Sequence, residues 1–223
     1  MKIDILTIFP EMFDGVLGSS IIKRAIEDEK VKINVHNFRD YSLDKHGRVD
    51  DYPYGGGAGM VLMCEPIFRA VEAIRTDESK VIMLTPSGIQ FKQNVAVSLS
   101  KEKHLILLCG HYEGFDERIK TIVDMEMSIG DYVLTGGEVP AMAIVDAVTR
   151  LIPGVITDAS LDSESFNDGL LDYPNYTRPE VFRGMRVPEV LLSGHHKNIE
   201  KYRQEEKIRL TKENRSDLTG GDM

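Results

Sequence analysis

The stretch HLILLCGHYEGFDER, residues 104–118, decides the predicted fold. Its first part, residues 104–110, is short, apolar and rich in leucine, which predicts a buried strand. Its second part is a turn that begins at Gly110 and holds a second glycine, a histidine and several carboxylates. Ligands of open α/β sheets bind at the carboxyl ends of the strands, so this turn is a candidate binding loop.

Outward from this stretch, strands and helices are predicted to alternate. Similar short apolar runs are KIDILTIF (2–9), KINVHNF (32–38) and KVIMLTP (80–86). Helical patterns lie between the runs, at residues 20–29, 65–75, 91–100, 115–123 and 138–150. This alternation predicts an α/β fold with a mostly parallel sheet.

The alternation stops after residue 150. Glycines and prolines interrupt the polar segment 151–188, which predicts a long linker without regular periodicity. Residues 195–213 then return to a charged, helix-compatible pattern with few large apolar positions. The carboxyl-terminal part is therefore predicted to be a small helical domain.

Composition places the chain among globular proteins but argues against binding of nucleic acid by charge alone. The chain has 223 residues, 42% of them hydrophobic, and a formal net charge of -9. The charge is uneven: residues 178–215 hold ten Lys/Arg and six Asp/Glu, whereas residues 1–177 hold 17 and 28. A polyanion is therefore expected to contact the carboxyl-terminal part.

Cysteine usage and hydropathy predict a cytoplasmic protein. Cys64 and Cys109 lie in separate apolar runs, which is typical of buried thiols in a reducing compartment. The amino terminus has no apolar stretch of signal-peptide length, and no run of 18 apolar residues occurs. No membrane segment is predicted.

Two further glycine-rich turns accompany the opening stretch. DDYPYGGGAGM (50–60) and SIGDYVLTGGE (128–138) lack the Walker lysine and the dinucleotide fingerprint. Each turn alone is typical of an ordinary surface loop, but three in one α/β domain favour a ligand whose edges meet backbone donors and acceptors, such as a purine. Neither a zinc spacing nor a nucleophile elbow is present, which disfavours a structural zinc site and a nucleophilic hydrolase.

Several long motifs resemble, in order, the bacterial tRNA (guanine-N1)-methyltransferase family of the SPOUT superfamily. They are KIDILTIFPEMF, NFRDYSLDKHGRVDDYPYGGG, YGGGAGMV, CGHYEGFDER, SIGDYVLTGGEVPAM, RLIPGV, GLLDYPNYTRP and VLLSGHH. The resemblance runs from residue 1 to about residue 215. It implies a deep trefoil knot in the carboxyl-terminal part of the α/β domain. It also implies three parts: a donor-binding domain (1–155), a linker with the catalytic carboxylate (156–177) and a helical tRNA-contacting domain (178–223).

The resemblance also implies a homodimer that uses S-adenosylmethionine as methyl donor and shares its active site between subunits. The expected substrate is the guanosine immediately 3′ of the tRNA anticodon. The donor-binding positions carried over are Leu84, Pro86, Gly110, Gly114, Ile129, Gly130, Asp131, Tyr132, Val133, Leu134, Gly136, Gly137 and Pro140.

Three residues are expected to act in catalysis. Guanine N1 carries a proton, so its methylation needs a base, and the charge that develops on O6 needs a cation. The resemblance implies Arg150 for the cation and Glu164 for the base, in place of the family's usual aspartate; Asp162 and Asp168 stay as alternatives. Glu113 is expected to be a second acidic group, with Mg²⁺ as an implied participant, although the sequence shows no dedicated metal cage.

Three other functions stay open from the sequence. A related knotted enzyme would methylate another RNA or another atom. A non-catalytic RNA- or nucleotide-binding module would keep the fold without a working base. The acidic net charge is also compatible with an enzyme that acts on small nucleotides.

Overall fold

The chain folds into two compact units. A computed structural model describes residues 1–157, 161 and 164–219, and residue contacts divide the chain into Met1–Ile156 and Thr157–Met223. The described part of the predicted linker, from residue 157 onward, groups with the second unit. The division of that unit into a linker and a helical domain stays a prediction.

The first unit is built on a five-stranded parallel sheet, which confirms the predicted α/β class. The strands are β1 (Lys2–Thr7), β2 (Lys32–Asn37), β5 (Ser79–Gln90), β6 (His104–Cys109) and β7 (Met125–Ser128), in the order β2-β1-β6-β5-β7. Two short strands, β3 (Asp50–Asp51) and β4 (Val61–Leu62), pair antiparallel outside this sheet. The predicted knot stays a prediction.

Helices cover both faces of the sheet because the strand residues alternate between two apolar cores. In β6, Leu105 and Leu107 face one core, and Ile106 and Leu108 face the other. The first core includes residues of α2 (Ser20–Glu27), α4 (Gln93–Leu99) and α5 (Glu138–Thr149). The second includes residues of α3 (Cys64–Ile74). A short helix, α1 (Asp14–Leu17), precedes α2.

The first unit differs from the sequence prediction at several places, and the short elements α1, β3 and β4 were not predicted. The helix predicted over 115–123 is a 3₁₀ helix, Glu117–Ile122. Strand β7 was not predicted, because it has only four residues, Met125–Ser128, and one of them is charged. Strand β5 is longer than predicted, since the chain bulges out between Leu84 and Ile89 and then rejoins the sheet.

Among the residues described, the second unit is small and its regular structure is mostly helical. A hairpin of β8 (Val181–Phe182) and β9 (Met185–Arg186) precedes helices α6 (Glu189–Leu192) and α7 (His196–Asn214). The segment before the hairpin is tied to α7, because the Leu171 N–H donates to Thr211 Oγ1 over 2.9 Å. Neither the hairpin nor α6 was predicted.

A buried carboxylate joins three strands at the amino end of the sheet. Asp4 in β1 is fully buried and lies 2.6 Å from Lys2 Nζ and 2.6 Å from His104 Nε2 on β6. Asn34 and His36 on β2 lie 2.7 and 2.8 Å from its other oxygen. Burial raises the pKa of this carboxyl, but the hydrogen bonds to these side chains outweigh burial and hold the pKa well below its usual value.

Replacement of this carboxylate is expected to destabilise the first unit strongly. Asp4→Ala leaves a lysine and a buried histidine without their anionic partner, which costs about 3–5 kcal/mol in the free energy of unfolding. Urea denaturation at neutral pH measures this loss. The matched control is Asp51→Ala, whose 3.7 Å pair with Arg48 is about half exposed and contributes ~0.5 kcal/mol or less.

The same carboxylate gives the wild type an acid-sensitive stability. Because the folded-state pKa of Asp4 is depressed, its contribution is complete above the usual carboxyl pKa of 3.8 and declines as the pH falls below that value. The stability difference between wild type and Asp4→Ala should therefore shrink in acid. A difference that stays constant at low pH would contradict this assignment.

Candidate active site

A cavity opens at the carboxyl ends of β5, β6 and β7. Residues of two of the three predicted glycine-rich turns, the turn after β6 and the 128–138 turn, line it, whereas no residue of the 50–60 turn does. Its volume is about 390 Å³, within the range typical of small-molecule sites. Three segments form its walls: residues 83–87, residues 110–117 and residues 127–137, with Lys120 and Pro140 at the margin.

The first wall is the bulge of β5. Leu84 and Ile89 both pair with Met127 of β7, so the chain leaves the sheet between them and returns to the same neighbour. A Cβ atom on Gly88 would overlap the backbone of Met127, which makes glycine necessary for this close return. The excursion exposes Pro86 to the cavity.

The second wall is the turn that follows β6. Tyr112 and Gly114 have φ values of +58° and +108°, in the left-handed region. The Gly114 N–H donates to the His111 carbonyl over 3.0 Å, which closes the turn. A Cβ on Gly114 would meet nothing within 4 Å, so this side of the backbone is open to a ligand.

The third wall is the loop between β7 and α5. The Tyr132 N–H donates to the Gly130 carbonyl over 3.0 Å, and the Gly137 N–H donates to the Gly110 carbonyl over 2.7 Å. A bridge between His111 and Gly136 adds a second link between the two loops. Tyr132, Val133 and Leu134 stay exposed, so the loop offers both apolar side chains and backbone polar groups.

A buried carboxylate lies at the base of the two linked loops. Glu138, the first residue of α5, is 2% exposed and accepts a 2.7 Å hydrogen bond from the Thr7 hydroxyl. Its other oxygen lies 3.9 Å from His111 Nδ1. The carboxylate therefore connects the end of β1 to the loops that form the cavity.

Charged and nucleophilic groups near the cavity have defined states. Hydrogen bonds from Arg118 hold the pKa of Asp116 well below its usual value, so Asp116 is a paired carboxylate. Burial raises the pKa of the Cys109 thiol well above its usual value, so Cys109 is not a thiolate nucleophile. Among the residues described, no group of three His, Cys, Asp or Glu side chains could hold a metal ion.

The structure brings most of the residues chosen for donor binding to this one cavity. Glu113 also lines it. Asp131, Arg150 and Glu164 are not among the lining residues, and Asp162 lies outside the described part of the chain. The chosen donor residues that line the cavity are Leu84, Pro86, Gly110, Gly114, Ile129, Gly130, Tyr132, Val133, Leu134, Gly136, Gly137 and Pro140.

Sequence reasoning missed other lining residues. Tyr112 and Phe115 lie next to chosen positions in the turn after β6, so their place in the motif was the signal that could have identified them. His111 of the same turn was already part of the predicted binding loop. Lys120 gave no such signal, because it lies in a 3₁₀ helix beyond the turn.

A second cavity, of about 1120 Å³, lies within the second unit. Arg178 and Arg203 line it together with Tyr173 and Tyr176. The Arg203 guanidinium stacks over the Tyr173 ring at 4.6 Å. Cations beside aromatic rings suit a nucleic acid.

The chain is similar to curated tRNA methyltransferases over almost its whole length. The family described as tRNA (Guanine-1)-methyltransferase TrmD matches residues 1–221. The tRNA (guanine-N(1)-)-methyltransferases of Staphylococcus aureus strains JH9 and Newman are each 57% identical over 221 residues, which cover 98% of this chain and 90% of each relative. In the part of the chain that the structure describes, no helix is long and apolar enough to cross a membrane. On these matches, the chain belongs to the TrmD family of tRNA (guanine-1)-methyltransferases.

Proposed function

We propose that this chain transfers a methyl group from S-adenosylmethionine to N1 of the guanosine immediately 3′ of the tRNA anticodon, tRNA position 37. This methylation helps to maintain the reading frame. The observation that carries the proposal is the backbone-lined cavity at the carboxyl end of the sheet, in a chain that belongs to this family.

The cavity fits a donor that contains a purine. When bound, S-adenosylmethionine supplies an electrophilic methyl group on a sulfonium sulfur. We assign adenine recognition to the backbone of the 128–137 loop and of Gly110, because their N–H and C=O groups have fixed directions. The open face of Gly114 leaves room for the rest of the donor. Asp131 stays a proposed donor residue through its position in the same loop.

We assign the general base to Glu164. Of the two alternatives, Asp162 lies outside the described residues, and Asp168 accepts a 2.6 Å hydrogen bond from Lys207, whose side chain is 9% exposed. This bond, together with a backbone bond from Leu170, lowers the pKa of Asp168 and makes it a weak base committed to an ion pair. Glu164 lies in a turn, where its own backbone N–H donates to the Leu161 carbonyl over 3.3 Å. A glutamate keeps the carboxylate of the family's usual aspartate, one methylene longer.

Arg150 and Glu113 complete the proposed catalytic set. Arg150 follows the last residue of α5, and we assign it to stabilise the negative charge that develops on guanine O6. Glu113 lines the donor cavity. We propose Glu113 as the carboxylate that works with Mg²⁺, because Mg²⁺ in enzymes commonly takes one or two carboxylates and keeps several waters.

The proposed tRNA surface is the second unit. Residues 178–215 carry an excess of Lys/Arg over Asp/Glu, and Arg178 and Arg203 line a cavity with two tyrosines. Phosphate contacts from such cations make binding weaken as salt is raised. The acidic first unit would not attract tRNA by charge alone.

We also propose that the enzyme is a cytoplasmic homodimer whose active site combines groups from both subunits. The proposal rests on the family resemblance. It agrees with the location of the donor cavity in the first unit and of Glu164 in the second. Sedimentation velocity with and without tRNA measures the assembly.

The experiment that tests the proposed function is methyl transfer to tRNA transcripts. With labelled S-adenosylmethionine, a transcript with guanosine at tRNA position 37 should be methylated, and one with adenosine should not. Mapping the product nucleotide separates this function from that of another RNA methyltransferase. Binding of tRNA without methyl transfer would instead favour a binding module, and failure of tRNA to bind would favour a small-molecule enzyme.

Gly137→Ala is expected to weaken donor binding. The new Cβ would lie 2.7 Å from the Cys109 Cα atom and 2.8 Å from the Gly110 amide nitrogen, so the two loops must separate. The S-adenosylmethionine Kd, measured by calorimetry, should rise about tenfold or more, which corresponds to ~1.4 kcal/mol. Gly15→Ala is the control, because its Cβ would meet nothing within 4 Å. An unchanged Kd in Gly137→Ala would contradict the role of this contact.

Glu164→Gln is expected to slow methyl transfer without loss of donor binding. Removal of a general base lowers the rate about 10²- to 10⁴-fold, which single-turnover assays at saturating donor and tRNA measure. Asp168→Asn should instead lower the melting temperature and leave most of the rate, because it breaks the Lys207 pair. A full rate in Glu164→Gln would eliminate Glu164 as the base.

A further inference from the structure

The hairpin of β3 and β4 presents two tyrosines that no contact within the described chain buries. Asp50 pairs with Leu62 and Asp51 with Val61, and the glycine-rich loop 52–60 joins the two strands. Tyr52 is 78% exposed and Tyr54 is 100% exposed. An aromatic ring left fully in water, beside a ligand cavity, is a candidate contact for a partner.

Backbone hydrogen bonds attach this hairpin to the rim of the donor cavity. The Glu113 N–H donates to the Met60 carbonyl over 3.0 Å, and the Leu62 N–H donates to the Gly114 carbonyl over 2.9 Å. The Asp116 N–H donates to the Leu62 carbonyl over 3.0 Å. Since residues 113–116 line the cavity, the hairpin extends directly from its wall.

The loop is shaped by a turn that leaves Tyr54 at its tip. The Gly56 N–H donates to the Pro53 carbonyl over 3.3 Å, so Tyr54 and Gly55 occupy the centre of the turn. Gly55 and Gly56 have φ values of +86° and +77°, and a Cβ on either would meet nothing within 4 Å. The space around the tip is therefore open to a flat ligand.

Charge indicates which part of a nucleotide this hairpin can hold. Asp50 and Asp51 stand at its base and Glu113 lies against Gly59, whereas Arg48 is already paired with Asp51 at 3.7 Å. Such an acidic surface repels phosphates. A nucleobase has no charge and can stack on a phenol ring, as unpaired bases of RNA loops do on aromatic side chains.

We propose that Tyr54 is a stacking platform for an unpaired nucleobase of the tRNA anticodon loop, next to the guanosine that enters the cavity. This inference rests on the proposed function and extends it to a specific contact. The platform holds a neighbouring base outside the cavity while the target base approaches the donor. The contact uses the flat face of the base, so it does not depend on which of the four bases is present.

The test compares Tyr54→Ala, Tyr54→Leu and Tyr54→Phe in the full chain. The tRNA Kd, from filter binding, should rise about 5- to 150-fold in the Ala and Leu variants, the range for one lost base–aromatic stack. Tyr54→Phe should bind like the wild type, because it keeps the ring. The control is Leu43→Ala, which should not change the Kd. Leu43 is an apolar residue of the same unit, and it is 68% exposed. The KM for tRNA should follow the Kd, and the S-adenosylmethionine Kd should stay constant.

Salt dependence identifies the kind of contact. The slope of log Kd against log salt concentration should be the same in all variants, because no phosphate contact is lost. A Kd that rises as much in Tyr54→Phe as in Tyr54→Ala would overturn stacking in favour of a hydrogen bond from the hydroxyl, because the Phe variant keeps the ring. A change of subunit assembly in sedimentation velocity would show that Tyr54 contacts a second copy of this chain, which also overturns the proposal.

Two outcomes separate this inference from the function on which it rests. If the wild type methylates tRNA and Tyr54→Ala binds tRNA equally well, only the stacking platform is wrong. If the wild type neither binds nor methylates tRNA, the proposed function fails and the platform fails with it.

Discussion

The hydrogen bond from the Gly137 amide to the Gly110 carbonyl, 2.7 Å long, holds the donor cavity together. It joins the turn after β6 to the residue that precedes α5, so two of the three walls depend on it. The backbone approach is so close that Gly137 has no room for a side chain, and a Cβ on Gly136 would overlap the side chains of Glu138 and His111. The Thr7 hydroxyl at the end of β1 also donates a 2.7 Å hydrogen bond to Glu138, the residue that follows Gly137. The cavity is thus a consequence of backbone contacts that only glycine permits.

The two edges of the sheet have different chemical tasks. At the amino edge, Asp4 joins three strands through a buried cluster of charged and polar groups. At the carboxyl edge, backbone groups face an open cavity. The buried Asp4 cluster therefore lies at the opposite edge of the sheet from the cavity. A parallel sheet makes the division possible, because all strand ends of one kind lie together.

The sequence predicted the α/β class and most elements, since short apolar runs and glycine punctuation are local signals. It missed β7, whose four residues MEMS carry no apolar run, and the β8–β9 hairpin, whose side chains are exposed. The donor loops could be located because their backbone geometry requires glycines, and clustered glycines are visible in the sequence. The role of Glu138 and the bulge of β5 could not, because each depends on atoms that are distant in sequence. The assignment of Glu164 came from resemblance alone.

The return of β5 to the same neighbour has a thermodynamic consequence. This strand is hydrogen-bonded to β6 on one side and to β7 on the other. It pairs with β7 both before and after the bulge, and the bulge itself forms part of the cavity wall. A loop fixed at both ends by one sheet has few conformations to lose when a ligand arrives. Donor binding therefore costs this wall little ordering entropy, and the wall selects among ligands by a shape that exists before they bind.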